Sequence, residues 1–175
     1  MKREQIVLGG GCFWCIEAVF RRVKGVLEAK SAYSGGKRPN PSYEQICSGA
    51  TGHAEVVRVV YDADIITLRE ILDIFFEIHD PTTLNQQGAD RGTQYRSVIY
   101  YENESQKGVI EEVIEHHQKA FDKPIVTEVS ELGAVYDAES YHQNYYNLNK
   151  AQGYCQVVIA PKLQKFMMKF SDKAV

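Results

Sequence analysis

The sequence predicts an α+β fold, a mixed β-sheet with helices packed on it. Three observations carry the prediction. Strand-like and helix-like stretches alternate along the chain, without the strict β-α-β rhythm of a parallel sheet. Hydrophobic residues make up 44% and charged residues 25% of the 175 positions, a balance that buries a core rather than leaving the chain disordered. No apolar run approaches the ~20 residues that cross a bilayer. No repeat, low-complexity tract or linker divides the chain, so positions 1–175 read as one domain.

Ile6–Gly9 reads as a short buried strand, broken by Gly9-Gly10-Gly11. A helix is expected from about Cys12, because Phe13, Ile16, Val19, Phe20 and Val23 recur at helical spacing, and Gly25 closes it. Val26–Tyr33 reads as a strand, and the Gly-, Pro- and Asn-rich stretch 34–42 as a loop. A helical turn is expected over Tyr43–Cys47. His53–Tyr61 reads as a strand with Val57, Val59 and Tyr61 on one side. Thr67 is an N-cap for a helix striped by Leu68, Ile71, Leu72, Phe75 and Phe76, stopping before Pro81.

Residues 79–96 lack periodicity, and loops of that length inside compact domains are often functional. Ser97–Tyr101 is a strand candidate. Asn103–Phe121 is a helix with Val109, Ile110, Val113, Ile114 and His117 on one face, and Ile125–Val129 a strand. The Tyr-rich stretch 138–150 is expected to be partly helical. Gln156–Ile159 reads as a short strand, and Pro161–Phe170 as a last helix with proline at its start.

The net charge of −3 gives no general attraction to nucleic acid or to an anionic membrane. The apolar stretch after Met1–Gln5 is too short for a signal-peptide core, so a cytoplasmic location is expected. Four cysteines sit at 12, 15, 47 and 155. In a reducing compartment they are catalytic, metal-bound or inert rather than bridged, and the sequence leaves three pairings open. No H-x-x-x-H and no second C-x-x-C supports zinc, and His79, His116 and His117 read as structural or exposed.

The most informative stretch is Gly9-Gly10-Gly11-Cys12-Phe13-Trp14-Cys15, a strand, a glycine turn and a helix start with a thiol at the corner. Amides at a helix N-terminus favour a thiolate. They supply about 0.3–1 kcal/mol when exposed and roughly 2 when sheltered. Bringing a thiol from about 8.5 to below 7 needs roughly 2 kcal/mol, so the helix alone barely suffices. Cys12 and Cys15 are neighbours on a first helical turn, where one thiol can attack and the other resolve. A dithiol–disulfide exchanger and a zinc-binding module remain alternatives at this level.

Cys12-Phe13-Trp14-Cys15 after Gly11 resembles the signature of the class A methionine sulfoxide reductases, the peptide-methionine (S)-S-oxide reductases. Further matches follow in order: Tyr33-Ser34-Gly35-Gly36, Tyr43 to Gly49, Thr51-Gly52-His53-Ala54-Glu55-Val56, His79-Asp80-Pro81, Gln87 to Ser97, and Tyr141-His142-Gln143. The resemblance implies a single catalytic domain with a two-layer α/β sandwich, a mixed sheet and a ferredoxin-like core. It implies an oxidoreductase of protein repair under oxidative stress, acting on the S-epimer of methionine sulfoxide, free or in proteins, with no metal, flavin or nicotinamide cofactor.

In that family the cysteine matching Cys12 attacks the sulfoxide sulfur and becomes a sulfenic acid. A second cysteine forms a disulfide with it, and thioredoxin reduces that disulfide. Glu55 matches the general acid, held protonated by burial. Tyr43 and Tyr95 match tyrosines that bond the sulfoxide oxygen. Phe13 and Trp14 match the pocket for the S-methyl group. Asp90, Tyr141 and His142 match substrate-lining positions. The resolving cysteine is Cys15, Cys155, or both in relay; Cys47 is expected to pack. The chain is expected to act as a monomer, without nucleic acid or membrane.

Overall fold

The computed structural model describes all residues, Met1–Val175. Its elements run β1 (Arg3–Gly9), α1 (Phe13–Phe20), β2 (Val26–Ser34), α2 (Tyr43–Cys47), β3 (Ala54–Asp62) and α3 (Leu68–Ile78). There follow β4 (Gln86–Gln87), β5 (Asp90–Arg91), a 3₁₀ turn Thr93–Tyr95, β6 (Val98–Tyr101), α4 (Glu104–Gln118), β7 (Glu128–Glu131) and β8 (Val135–Asp137). A 3₁₀ turn Ser140–His142, α5 (Tyr145–Leu148) and α6 (Ala160–Lys169) complete the chain.

Six strands form one sheet in the order β7-β6-β1-β3-β2-β8. Only β6 and β7 run parallel. The four strands β6-β1-β3-β2, with α1 and α3 as their crossovers, make the β-α-β-β-α-β ferredoxin-like core that the resemblance implied. The two-residue alternation of each strand sorts the sheet's faces. Ile6, Leu8, Tyr33, Val57, Val59, Tyr61 and Ile99 join the helices in the main core, while Val7, Ala32, Ala54, Val56, Val98 and Tyr100 form a small core on the opposite face. Residue 55 has the same parity as 57, 59 and 61. An acid therefore sits under α1 on the helix-covered face.

Local chemistry fixes the helices as expected. Thr67 caps α3 with a capping box through Glu70, and the stripe Leu68, Ile71, Leu72, Phe75, Phe76 is buried. Two strand expectations fail. Gln156–Ile159 is not a strand: Cys155–Ile159 is a π-helical turn running into α6. The β-branched run 157–159 favours a strand. Burial overrides it, because Cys155, Ile159, Leu163 and Phe166 make one helical stripe facing the core and leave Val157 exposed. The strand expected at Ile125–Val129 starts later, at Glu128, where its amide bonds the Ser97 carbonyl and parallel pairing with β6 begins. Strand β8 was not expected at all. Cys47 is exposed at the end of α2, not packed.

Candidate active site

Cys12 is the N-cap residue of α1, with φ −66° and ψ 129°. It follows Gly11, whose φ of +82° and contact with Gln87 admit no Cβ: one placed there would lie 2.7 Å from Gln87 Cγ. The Gly11 amide donates to the Tyr95 carbonyl at 3.0 Å. Cys12 keeps 8% exposure, and Cys15, one helical turn on, keeps 2%.

Glu55 on β3 is 1% exposed, and its Oε1 accepts the Phe13 amide at 3.1 Å. Burial pushes its carboxyl up to about 8, the Phe13 amide opposes this, and the charge of Asp90 adds to it. At neutral pH Glu55 is therefore a carboxylic acid, not the exposed strand glutamate its residue type alone would suggest. The Cys12 thiol is pushed well up, first by burial, then by the charges of Glu55 and Cys15. The helix amides, expected barely to suffice, do not offset burial here. Phe13, a free amide of the first turn, is bonded to Glu55, and the remaining Trp14 contribution is smaller than the burial effect. The resting pair is thiol and acid, titrating together.

Around this pair stand hydroxyl donors from separate elements. Burial and then the charge of Glu55 push both the Tyr43 and Tyr95 phenols up, so both stay protonated. Tyr43 opens α2 and Tyr95 closes the 3₁₀ turn after β5. Asp90 on β5 accepts the Tyr154 hydroxyl at 2.7 Å, and that hydroxyl sits beside both Cys12 and Cys15, favouring their charged forms.

An aromatic wall closes the other side. Trp14 stacks on Tyr145 at 3.7 Å and 7°, and its Nε1–H donates to His142 Nδ1 at 3.0 Å. His142 packs against Phe13 at 5.2 Å, Tyr43 at 4.4 Å and the half-exposed Tyr141 at 4.1 Å. With Nδ1 accepting, the neutral His142 carries its proton on Nε2, which is buried without a partner. Behind it, Glu139 accepts the Tyr33 hydroxyl at 2.9 Å and the Tyr43 amide at 3.0 Å.

The structure thus gathers Cys12, Cys15, Glu55, Tyr43, Tyr95 and Asp90 at one corner, with Phe13, Trp14, Tyr141 and His142 along one wall. Cys155 is fully buried and belongs to the core stripe. None of the four cysteines is bridged, and no three His, Cys, Asp or Glu side chains converge as a metal site. Tyr154, Tyr145 and Glu139 were missed in the sequence. Only the place of Tyr154 beside Cys155 pointed toward it.

A model of the peptide methionine sulfoxide reductase family matches residues 4–174. The peptide methionine sulfoxide reductase MsrA of Saccharolobus solfataricus is 56% identical over 170 residues, covering 97% of this chain and 96% of its own. The reduced form of Mxr1 from Saccharomyces cerevisiae matches with a TM-score of 0.84 and 37% identity, over 88% of this chain and 90% of that one. Mxr1 in complex with Trx2 matches with a TM-score of 0.60 and 27% identity, over 82% and 85%.

Proposed function

The chain belongs to the peptide methionine sulfoxide reductase family, and from that premise we propose that Cys12 removes the oxygen of methionine S-sulfoxide while Glu55 supplies the proton. One observation carries the assignment of roles: a carboxyl 1% exposed, bonded to the amide next to Cys12, and held protonated by burial.

The sulfoxide oxygen enters among Glu55, Tyr43 and Tyr95, all of them donors. The S-methyl group lies against Phe13 and Trp14. Asp90 and the exposed Tyr141 contact the rest of the substrate, and the buried His142 holds the wall behind them. As Cys12 Sγ bonds the substrate sulfur, the Glu55 proton passes to the oxygen, and the thiol proton restores the acid. The hydroxyl of this adduct is then transferred to Cys12 Sγ as the S–O and S–S bonds to the substrate sulfur break, so methionine leaves reduced and Cys12 is left as a sulfenic acid. A second thiol then displaces that oxygen as water and forms a disulfide.

Cys15 and Cys155 are the candidates for that thiol. Cys15 lies one helical turn from Cys12, its amide bonded to the Cys12 carbonyl at 3.1 Å. Cys155 adjoins Tyr154 in the chain and is fully buried in the core. Thioredoxin reduces the disulfide in this reading, as the Mxr1–Trx2 complex suggests by analogy. We place the reaction on a cytoplasmic monomer that takes free and protein-bound substrate. No helix is long and apolar enough to cross a membrane.

Peptide mapping after one equivalent of methionine S-sulfoxide, without reductant, tests the scheme. It should recover one methionine and a disulfide joining Cys12 to Cys15 or Cys155. Cys12→Ser should yield neither, and a full stoichiometric burst from that variant would remove Cys12 from the mechanism.

A further inference from the structure

We propose that His79 is a positioning residue for the nucleophile: its neutral imidazole is the wall against which Gly10 is held, two residues before Cys12. The proposal rests on the reading of Cys12 given above.

His79 is 7% exposed and both its ring nitrogens are committed. Nδ1 contacts the Phe75 carbonyl at 2.6 Å, so it carries the proton and caps the end of α3. Nε2 accepts from the Ser97 hydroxyl at 2.8 Å, and Ser97 pairs with Thr127 at 2.8 Å. One tautomer and one ring plane are thereby fixed. Burial, with a lesser effect of Lys162, holds the imidazole at about 4, so it is neutral throughout the working range.

Gly10 packs against this ring with no room for a side chain. A Cβ on Gly10 would sit 2.6 Å from His79 Cδ2 and 3.0 Å from Cγ. Gly10 has no positive φ, so only the ring excludes alanine there. The next glycine meets a second wall, since Gln87 faces Gly11 and is locked to the Asp80 backbone, whose amide donates to Gln87 Oε1 at 2.9 Å. Together with the Tyr95 carbonyl, these groups hold the glycine corner from the same segment, 79–96, that delivers Asp90 and Tyr95. A run of glycines has no rigidity of its own. The wall supplies it, and a misplacement of about 1 Å at a reacting atom can slow a reaction ~100-fold.

The test is a cycle of His79→Ala, Gly10→Ala and the double variant in the full chain, read as first-turnover rate and KM with a methionine sulfoxide peptide. Alanine removes every ring atom that a Gly10 Cβ would meet. His79→Ala should slow the first turnover about 10–100-fold with KM changed less than about twofold, because the loss falls on alignment rather than on binding. Gly10→Ala should be slower still. The double variant should recover at least about tenfold over Gly10→Ala, as its methyl fills the vacated space. A normal rate for His79→Ala, or losses that merely add, would overturn the proposal. Should His79→Ala not fold, Ser97→Ala replaces it: freeing the Nε2 anchor should cost at least about threefold in rate, and an unchanged rate would sink the idea. A wild-type chain without Cys12-dependent turnover would instead refute the assignment of Cys12.

Discussion

Replacing Glu55 by Gln separates proton donation from every other duty of that side chain. The amide is nearly isosteric, and its oxygen can still accept the Phe13 amide as Glu55 Oε1 does at 3.1 Å. With the carboxyl near 8, about nine molecules in ten carry the proton at pH 7, against about three in a thousand at the ordinary value of 4.5. The substitution should slow single-turnover methionine release by about 10²–10⁴-fold. The pH profile should change in form as well. The wild type should lose about tenfold per unit above pH 8 as the acid ionises, and the variant should lack that limb. Rapid-quench measurement of the first turnover from pH 6 to 10 checks both. A variant within about threefold of wild type would refute the acid role.

The same substitution has a stability signature of fixed sign. The folded state keeps the Glu55 proton up to about 8, and the unfolded chain releases it near 4.5. The unfolded state therefore binds fewer protons in this window, and wild-type stability falls as pH rises through it. From pH 5 to pH 8 the loss is about 3.5 kcal/mol relative to Glu55→Gln, at 1.36 per unit. Urea midpoints of the two proteins should diverge over that interval. Parallel curves would show that the buried carboxyl is not held neutral.

Two further predictions concern residues around the corner. The Glu17 carboxylate, 1% exposed, receives the Asn144 amide at 2.7 Å and the Ser31 hydroxyl at 3.2 Å. Glu17→Ala should cost about 2–4 kcal/mol in urea unfolding by orphaning those donors, and a loss below about 0.5 would show that water replaces it. Tyr154→Phe removes the hydroxyl that favours the charged form of Cys12, so alkylation of that thiol by iodoacetamide at pH 8 should slow about 2–10-fold. An unaltered rate would place the hydroxyl out of play.

Much of this site was legible before any coordinates. The apolar strand, glycine break and helical stripe around Cys12 follow local rules, and the alternation of Val57, Val59 and Tyr61 already put residue 55 on their side of the strand. What escaped depends on contacts distant in sequence. The Asp90–Tyr154 bond spans 64 positions. The Val157-Val158-Ile159 run resembles a strand until the core stripe from Cys155 to Phe166 overrides it. The start of β7 is set by its partner strand, not by its own pattern. How little the helix end does for the Cys12 thiol also depends on a distant partner, because the Phe13 amide is engaged by Glu55 on another strand.

The chain's single tryptophan is the one that stacks on Tyr145 and bonds His142. All indole fluorescence from this molecule therefore originates two residues from Cys12. Emission colour and intensity report the state of that pocket without any label, and each oxidation or reduction of the thiols has a built-in optical reporter within a few residues of the event.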